Sequence, residues 1–222
     1  MEWTVLASVP GPDRQRLLAE LSRQAYRRDE VIFHQGDPAD TLHLIASGHV
    51  SVRVTLAGGE FVVVAILGPG ESFGELGLVS DSRTRGATVT AMEGCETMRL
   101  RRNQFEALRS AYPQIDRFLT ELLAARVDRL NHQLLEALYL PAERRVLRRL
   151  ADLCELYAGD SPHIVVPLTQ EMLASLAGTT RPTANQVLGR LVARRVAQVK
   201  RGQIVVVNRS ALDRQAARVS AR

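Results

Sequence analysis

The sequence predicts an α+β fold, with a small N-terminal barrel or sandwich, a long helix, and a C-terminal winged helix-turn-helix. Short β-rich runs recur between turn clusters from residue 31 to residue 100. After Pro113, apolar residues recur mostly at steps of three and four as far as Leu138. Beyond Leu168, two helical patterns are joined by a glycine-containing turn and followed by a basic hairpin.

Residues 12–25 carry Leu17, Leu18 and Leu21 among charges, which predicts a short amphipathic helix. Strands are expected at 31–33, 41–46, 50–54, 61–67, 86–91 and 95–100. Turn clusters such as Gly36-Asp37-Pro38, Ser47-Gly48, Gly68-Pro69-Gly70 and Glu93-Gly94 separate most of them. Between the fourth and fifth of these strands lies the most informative stretch, residues 70–88. There Gly70 and Gly74 bracket Phe73, Glu75 sits in a Gly-Glu-Leu-Gly turn, and Arg85 follows a short polar loop. Glycines before a helical turn let backbone N–H groups approach an anion, and the helix start adds partial positive charge. Arginine clamps a phosphate bidentately. A carboxylate beside it would repel that phosphate unless it serves another part of the ligand, such as a sugar hydroxyl. The stretch reads as a nucleotide pocket, the plainer alternative being a solvated Glu–Arg pair in a glycine-rich loop.

A helical return is expected at 104–108, then a long helix with Ile115, Leu119, Leu122, Leu123, Val127, Leu130, Leu134 and Leu138 on one stripe. Phe118 widens the N-terminal end enough to serve both the barrel and a second copy, so a homodimer is expected. Leu140-Pro141 marks a hinge, with Pro141 suited to the first turn of a helix that buries Val146, Leu147, Leu150, Leu153 and Cys154. A loop at 157–162 and a strand at 164–166 follow. Thr169 caps a helix running to about Ala177, Gly178 permits a tight exit, and Thr180 caps a second helix at 181–194 with Pro182 in its first turn. Ala174, Leu176, Val187, Leu188 and Leu191 supply the core of the pair. Residues 196–199 and 204–207 flank a Lys200-Arg201-Gly202-Gln203 turn as a wing.

The net charge of +5 is unevenly spread, because from Pro167 onward many arginines and lysines face only Glu171 and Asp213. A basic C-terminal part after a mildly acidic first part points to nucleic acid, although Arg214, Arg218 and Arg222 could also form a solubilising tail. Hydrophobic content of 45% and charged content of 24% are those of a soluble globular chain. The apolar run 61–67 is too short to span a bilayer and no signal peptide is visible at 1–12, so a cytoplasmic protein is expected. Cys95 and Cys154 read as buried thiols. His34, His43 and His49 near Asp37 and Asp40 suggest an enzyme as the rival class, but no nucleophile or metal repeat accompanies them. Surface histidines are expected, with no catalytic residue and no metal.

On these residues the chain resembles the Crp/Fnr family of bacterial transcription regulators over nearly its whole length. Phe73-Gly74-Glu75-Leu76-Gly77-Leu78 with Arg85-Gly86-Ala87 is similar to the phosphate-binding cassette of its cyclic-AMP-binding members. The resemblance implies a cyclic-nucleotide-binding β-roll at 1–112, a dimerisation helix and hinge at 113–139, and a winged helix-turn-helix at 140–222. By that match Glu75 would accept the ribose 2′-hydroxyl, Arg85 would pair with the cyclic phosphate, and Gly74, Leu76 and Ala87 would contribute backbone groups. Gly86 replaces the family's serine and keeps the backbone N–H. The pair that contacts adenine falls on Leu130-Asn131, where Leu130 could pack on the base and Asn131 read a purine edge. No cysteine or histidine set matches the family's iron–sulfur or haem sensors.

The implied ligand is cyclic AMP, with cyclic GMP as the alternative, and the implied partners are palindromic double-stranded DNA, a second copy, and RNA polymerase. Arg181 would read guanine, Asn185 or Gln186 adenine, and the Pro182 ring a thymine methyl. Thr169, Thr183, Lys200 and Arg201 are phosphate-contact candidates. The family's recognition pattern carries a glutamate that Arg181-Pro182-Thr183-Ala184-Asn185-Gln186 lacks, so a different target site is expected. A second reading keeps DNA binding without the nucleotide, or with another effector, and makes Glu75–Arg85 a structural ion pair.

Overall fold

The computed structural model describes residues 3, 6, 9–159, 161 and 163–217, which divide into two compact units, 1–129 and 130–222. The first unit opens with α1 (Gly11–Glu20), where Pro10 occupies the cap position. Leu17 and Leu21 of this stretch pack into the core beside Trp3, Leu6 and Val9. At Leu21 the backbone turns extended, and β1 (Ser22–Tyr26) begins. The single helix expected over 12–25 is therefore a shorter helix and a strand. Exposed from Ser22 to Ala25, β1 shows no apolar alternation; what forms it is backbone pairing with β8 (Cys95–Arg101), in register Ser22↔Arg99 to Tyr26↔Cys95.

The remaining strands are β2 (Val31–Phe33), β3 (Thr41–Ser47), β4 (Val50–Thr55), β5 (Phe61–Leu67), β6 (Ser72–Phe73) and β7 (Thr88–Ala91). They make two four-stranded antiparallel sheets, ordered β1-β8-β3-β6 and β2-β7-β4-β5. Ile45, Val50, Leu67, Phe73, Val89 and Ala91 form a core drawn from both sheets. The strand expected at 86–91 begins at Thr88, which leaves Gly86 and Ala87 in the loop. Between β6 and β7 lies one short helix, α2 (Leu76–Val79).

After β8 come α3 (Arg102–Ala111) and α4 (Gln114–Tyr139). Ile115 and Leu119 at the start of α4 pack with Leu42, Leu100 and Phe105 in a second core cluster. Further along, Leu130, Leu134 and Leu138 are 53, 58 and 65% exposed, so the stripe is bare.

In the second unit, α5 (Ala142–Leu156) starts with Pro141 at its cap, one position earlier than expected, and buries Val146, Leu150 and Cys154. Then follow β9 (Ile164–Val166), α6 (Gln170–Leu176), α7 (Arg181–Ala193), β10 (Ala197–Lys200), β11 (Gln203–Val206) and α8 (Arg209–Ala217). The three strands form one sheet, β10-β11-β9, with Lys200↔Gln203 closing the wing. Ala184, Val187, Leu188 and Leu191 of α7 are buried together with Leu173 and Ala174 of α6. Gly178 takes φ +56 in the turn between them. Arg145 ties this turn to the hinge, donating to Leu140 O at 2.7 Å, Ala177 O at 2.7 Å and Gly178 O at 2.8 Å. Part of the predicted tail is helix, α8, anchored by Leu212; Arg218 and Arg222, and Pro162 of the predicted loop, lie outside the described residues.

Candidate functional site

Gly74 has φ +92, and a Cβ there would lie 2.7 Å from Arg85 Nη1 and 2.9 Å from Thr41 O. Only glycine lets β6 turn into α2 this close to the arginine. Glu75 occupies the cap position of α2 and is only 1% exposed. Its Oε1 accepts from Arg126 Nη1 of α4, while Arg126 Nη2 donates to Ser72 O at 3.2 Å. Glu75 Oε2 is buried and has no hydrogen-bond partner among the described residues.

Arg85 is 4% exposed. Nη1 donates to Thr41 O at 2.8 Å and Gly74 O at 3.1 Å, and Nη2 donates to Thr41 Oγ1 at 2.7 Å. Its guanidinium sits 4.1 Å from the centre of the Phe33 ring, with Asp40 Oδ1 at 3.7 Å. Burial pushes the guanidinium pKa down, opposed by the carboxylates of Asp40, Asp37 and Glu75. Arg85 Nε is buried without a hydrogen-bond partner among the described residues. The Arg85 backbone is pinned by Arg85 N to Asp37 O and Gly36 N to Arg85 O, both 2.8 Å. Next to it Gly86 is exposed, and a Cβ added there would meet nothing within 4 Å.

Both expectations of a simple Glu75–Arg85 pair are corrected. The two groups are buried rather than solvated, and Glu75 pairs with Arg126 instead of Arg85. Arg126 was missed because it lies off the apolar stripe of α4 and reads as a solvated charge; its place one turn before Leu130 was the available signal. Arg102 was also missed: it braces α2 by donating to Leu78 O at 2.9 Å, Gly77 O at 2.9 Å and Ala39 O at 2.7 Å. Leu76 and Gly86 are exposed and Ala87 is half-buried beside the cassette, while Leu130 and Asn131 are exposed on α4 within the second unit.

The surface-histidine expectation is likewise corrected. His34 is exposed, but His43 and His49 are buried. Thr41 to Ile45 are buried at every position, so β3 carries His43 inside the roll. His49 Nδ1 lies 2.6 Å from Glu93 Oε1. Among the described residues, no group of three or more His, Cys, Asp or Glu side chains is placed to hold a metal ion.

In the second unit, α7 turns Arg181, Pro182, Asn185 and Gln186 outward from its buried face. Thr169, Arg181, Lys200 and Arg201 line one cleft of about 410 Å³ between the start of α6, the start of α7 and the wing. Thr169 caps α6 by accepting from Met172 N at 3.1 Å. Thr180 occupies the cap position of α7 but its hydroxyl meets Thr183 Oγ1 at 3.0 Å, not the backbone. Glu171 lines the same cleft, so three basic side chains there meet one acidic one.

A strand-rich first unit ahead of a winged helix-turn-helix defines the class of DNA-binding transcription regulators. Residues 23–112 match the cyclic nucleotide-binding domain and residues 144–215 the Crp-like helix-turn-helix domain. The chain is 34% identical over 196 residues to the cyclic AMP receptor protein of Thermus thermophilus, covering 88% of each. It is similar to the solved structure of the Thermus thermophilus catabolite activator protein, with 31% identity and TM-score 0.55 over 98% of this chain and 100% of that one. It is also similar to CLP of Xanthomonas campestris, described as a c-di-GMP-responsive global regulator, with 26% identity and TM-score 0.74 over 89% of this chain and 99% of that one. The chain belongs to the CRP/FNR family of DNA-binding transcription regulators. Its relatives are regulators, and the enzyme reading falls.

Proposed function

We propose that this regulator is switched by a cyclic nucleotide, cyclic AMP first and cyclic GMP as the alternative, bound at Glu75 and Arg85. The observation that carries this reading is the buried orphan acceptor Glu75 Oε2 beside a buried guanidinium with an unused Nε. A buried acceptor without a donor is costly, and a sugar hydroxyl supplies one. Arg85 would take the cyclic phosphate, and the Gly86 N–H would add a donor from open space. Gly74, Leu76 and Ala87 would line the cradle. The Thermus relative named a cyclic AMP receptor protein supports the same ligand.

The bare stripe of α4 would pair with a second copy, and ligand binding would shift the balance between two dimer arrangements. In the active one, α7 of each copy would enter successive major grooves of a palindromic site. Arg181 would read guanine, Asn185 or Gln186 adenine and Pro182 a thymine methyl, while Thr169, Thr183, Lys200 and Arg201 hold phosphates. Such a regulator works in the cytoplasm, with RNA polymerase as a further partner. Among the described residues no helix is long and apolar enough to cross a membrane.

Gly86 and Leu130 favour a second reading, since both replace hydrogen-bonding side chains of the family pattern. In it DNA is bound without cyclic AMP or with another effector. Calorimetric titration with cyclic AMP, cyclic GMP and c-di-GMP separates the two. Micromolar binding of a cyclic mononucleotide, lost in Arg85→Leu, supports the first reading; no heat from either mononucleotide sinks it.

A further inference from the structure

Arg85 rests on a buried frame that the cassette motif does not contain. The Phe33 ring beneath its guanidinium tilts against His43 and Phe73, with centroids 5.9 and 5.8 Å away. His43 stacks on Phe73 at 4.9 Å and 11°. The rings come from β2, β3 and β6, so both sheets contribute to the seat of one cation. His43 is 3% exposed, and its two polar neighbours Thr41 and Thr97 are buried with it.

The polar bonds run through this frame in one direction. A guanidinium only donates, so Thr41 Oγ1 must accept from Arg85 Nη2, and the threonine hydrogen must go elsewhere. Two acceptors lie within reach, Asp40 Oδ1 and His43 Nε2, each at 3.2 Å. The Asp40 side chain is 78% exposed and open to solvent, whereas His43 Nε2 lies inside the roll and is paired, among the described residues, with this hydroxyl. With Nε2 accepting, the ring hydrogen sits on Nδ1, 3.2 Å from Thr97 Oγ1. Burial and the cations of Arg85 and Arg99 push the His43 pKa down to about 3, so its acceptor lone pair is intact at neutral pH.

We propose that His43 is a positioning residue for Arg85. Its Nε2 takes the Thr41 hydroxyl hydrogen, which aims the Thr41 oxygen at Nη2 and fixes the guanidinium plane over Phe33. The proposal rests on the reading that Arg85 binds the cyclic phosphate. A guanidinium already held in one plane loses less freedom when the phosphate arrives, and the ligand binds more tightly for it. A neutral ring does this without placing a second cation beside the first.

The test uses His43→Phe, which keeps the stack and removes both ring nitrogens, and His43→Gln, which returns an acceptor near the Nε2 position. In ¹⁵N-labelled, ligand-free protein the Arg85 Nη–H signals, identified by their loss in Arg85→Lys, should be resolved. They should average together in His43→Phe and separate again in His43→Gln. Calorimetric titration with cyclic AMP at matched folded fraction should show about tenfold weaker binding in His43→Phe, largely recovered in His43→Gln. If His43→Phe does not fold, His43→Asn replaces it, because its shorter amide reaches Thr97 but not Thr41. Unchanged Arg85 signals together with wild-type affinity would overturn the proposal. Arg85 signals that respond to His43 in a protein binding neither cyclic AMP nor cyclic GMP would overturn the nucleotide reading alone.

Discussion

Arg126 holds one oxygen of the buried Glu75 carboxylate and leaves the other without a partner among the described residues. The pair links α4 to the cap of α2, two elements far apart in sequence. A carboxylate this deep depends on its ion-pair partner, because a buried ion pair that loses one member is strongly destabilising.

Removing that cation should therefore be costly. Arg126→Ala is expected to lower the unfolding free energy of the ligand-free protein by about 2–3 kcal/mol, less than a fully buried pair because the Arg126 side chain is 26% exposed. Urea unfolding checks it, and the single tryptophan, Trp3, buried with Nε1 on Ile45 O at 2.9 Å, gives the signal. Under the nucleotide reading, cyclic AMP should restore part of the loss by satisfying Glu75 from the other side.

Gly86 offers the opposite experiment, a gain. Open space surrounds its Cβ position, so Gly86→Ser adds a hydroxyl beside Arg85 without a clash. One further hydrogen bond to a charged phosphate should tighten cyclic AMP binding by about tenfold, read by calorimetry. Unchanged affinity would mean that the phosphate does not sit against this loop.

Acid should weaken the roll through His43. In the fold its pKa is about 3, against 6.5 for an ordinary histidine. Between these values the unfolded chain binds the extra proton, so this contribution is complete above pH 6.5 and is lost as pH falls toward 3. The slope reaches at most about 1.4 kcal/mol per pH unit. His43→Phe should unfold with a shallower pH dependence across that window.

On the DNA side, two variants should fail differently. Arg181→Ala should relax preference at one base position, costing about 1–3 kcal/mol there. Lys200→Ala should weaken all duplexes alike and reduce the salt slope by about one. Selection from a random duplex pool, followed by affinities at low and high salt, distinguishes them.

The sequence made some of this visible and hid the rest for physical reasons. The strand at Phe61–Leu67 and the helix pair after Thr169 were readable because apolar runs, glycine turns and the Thr169 cap agreed. β1 was hidden because its bonds, not its side chains, place it. Arg126 was missed and His43 misread for a shared reason: a polar residue is taken as exposed unless something distant encloses it. Glu75 encloses the first across the fold, and β3, covered on both faces, encloses the second.

The central claim is a nucleotide-controlled DNA switch, and its most direct test is anisotropy of a pool-selected labelled duplex, titrated with protein at fixed salt with and without cyclic AMP. The account predicts tighter DNA binding with cyclic AMP, an effect absent in Arg85→Leu while its ligand-free DNA affinity is unchanged. Equal DNA affinity with and without the nucleotide, in protein whose cassette is intact, would contradict it.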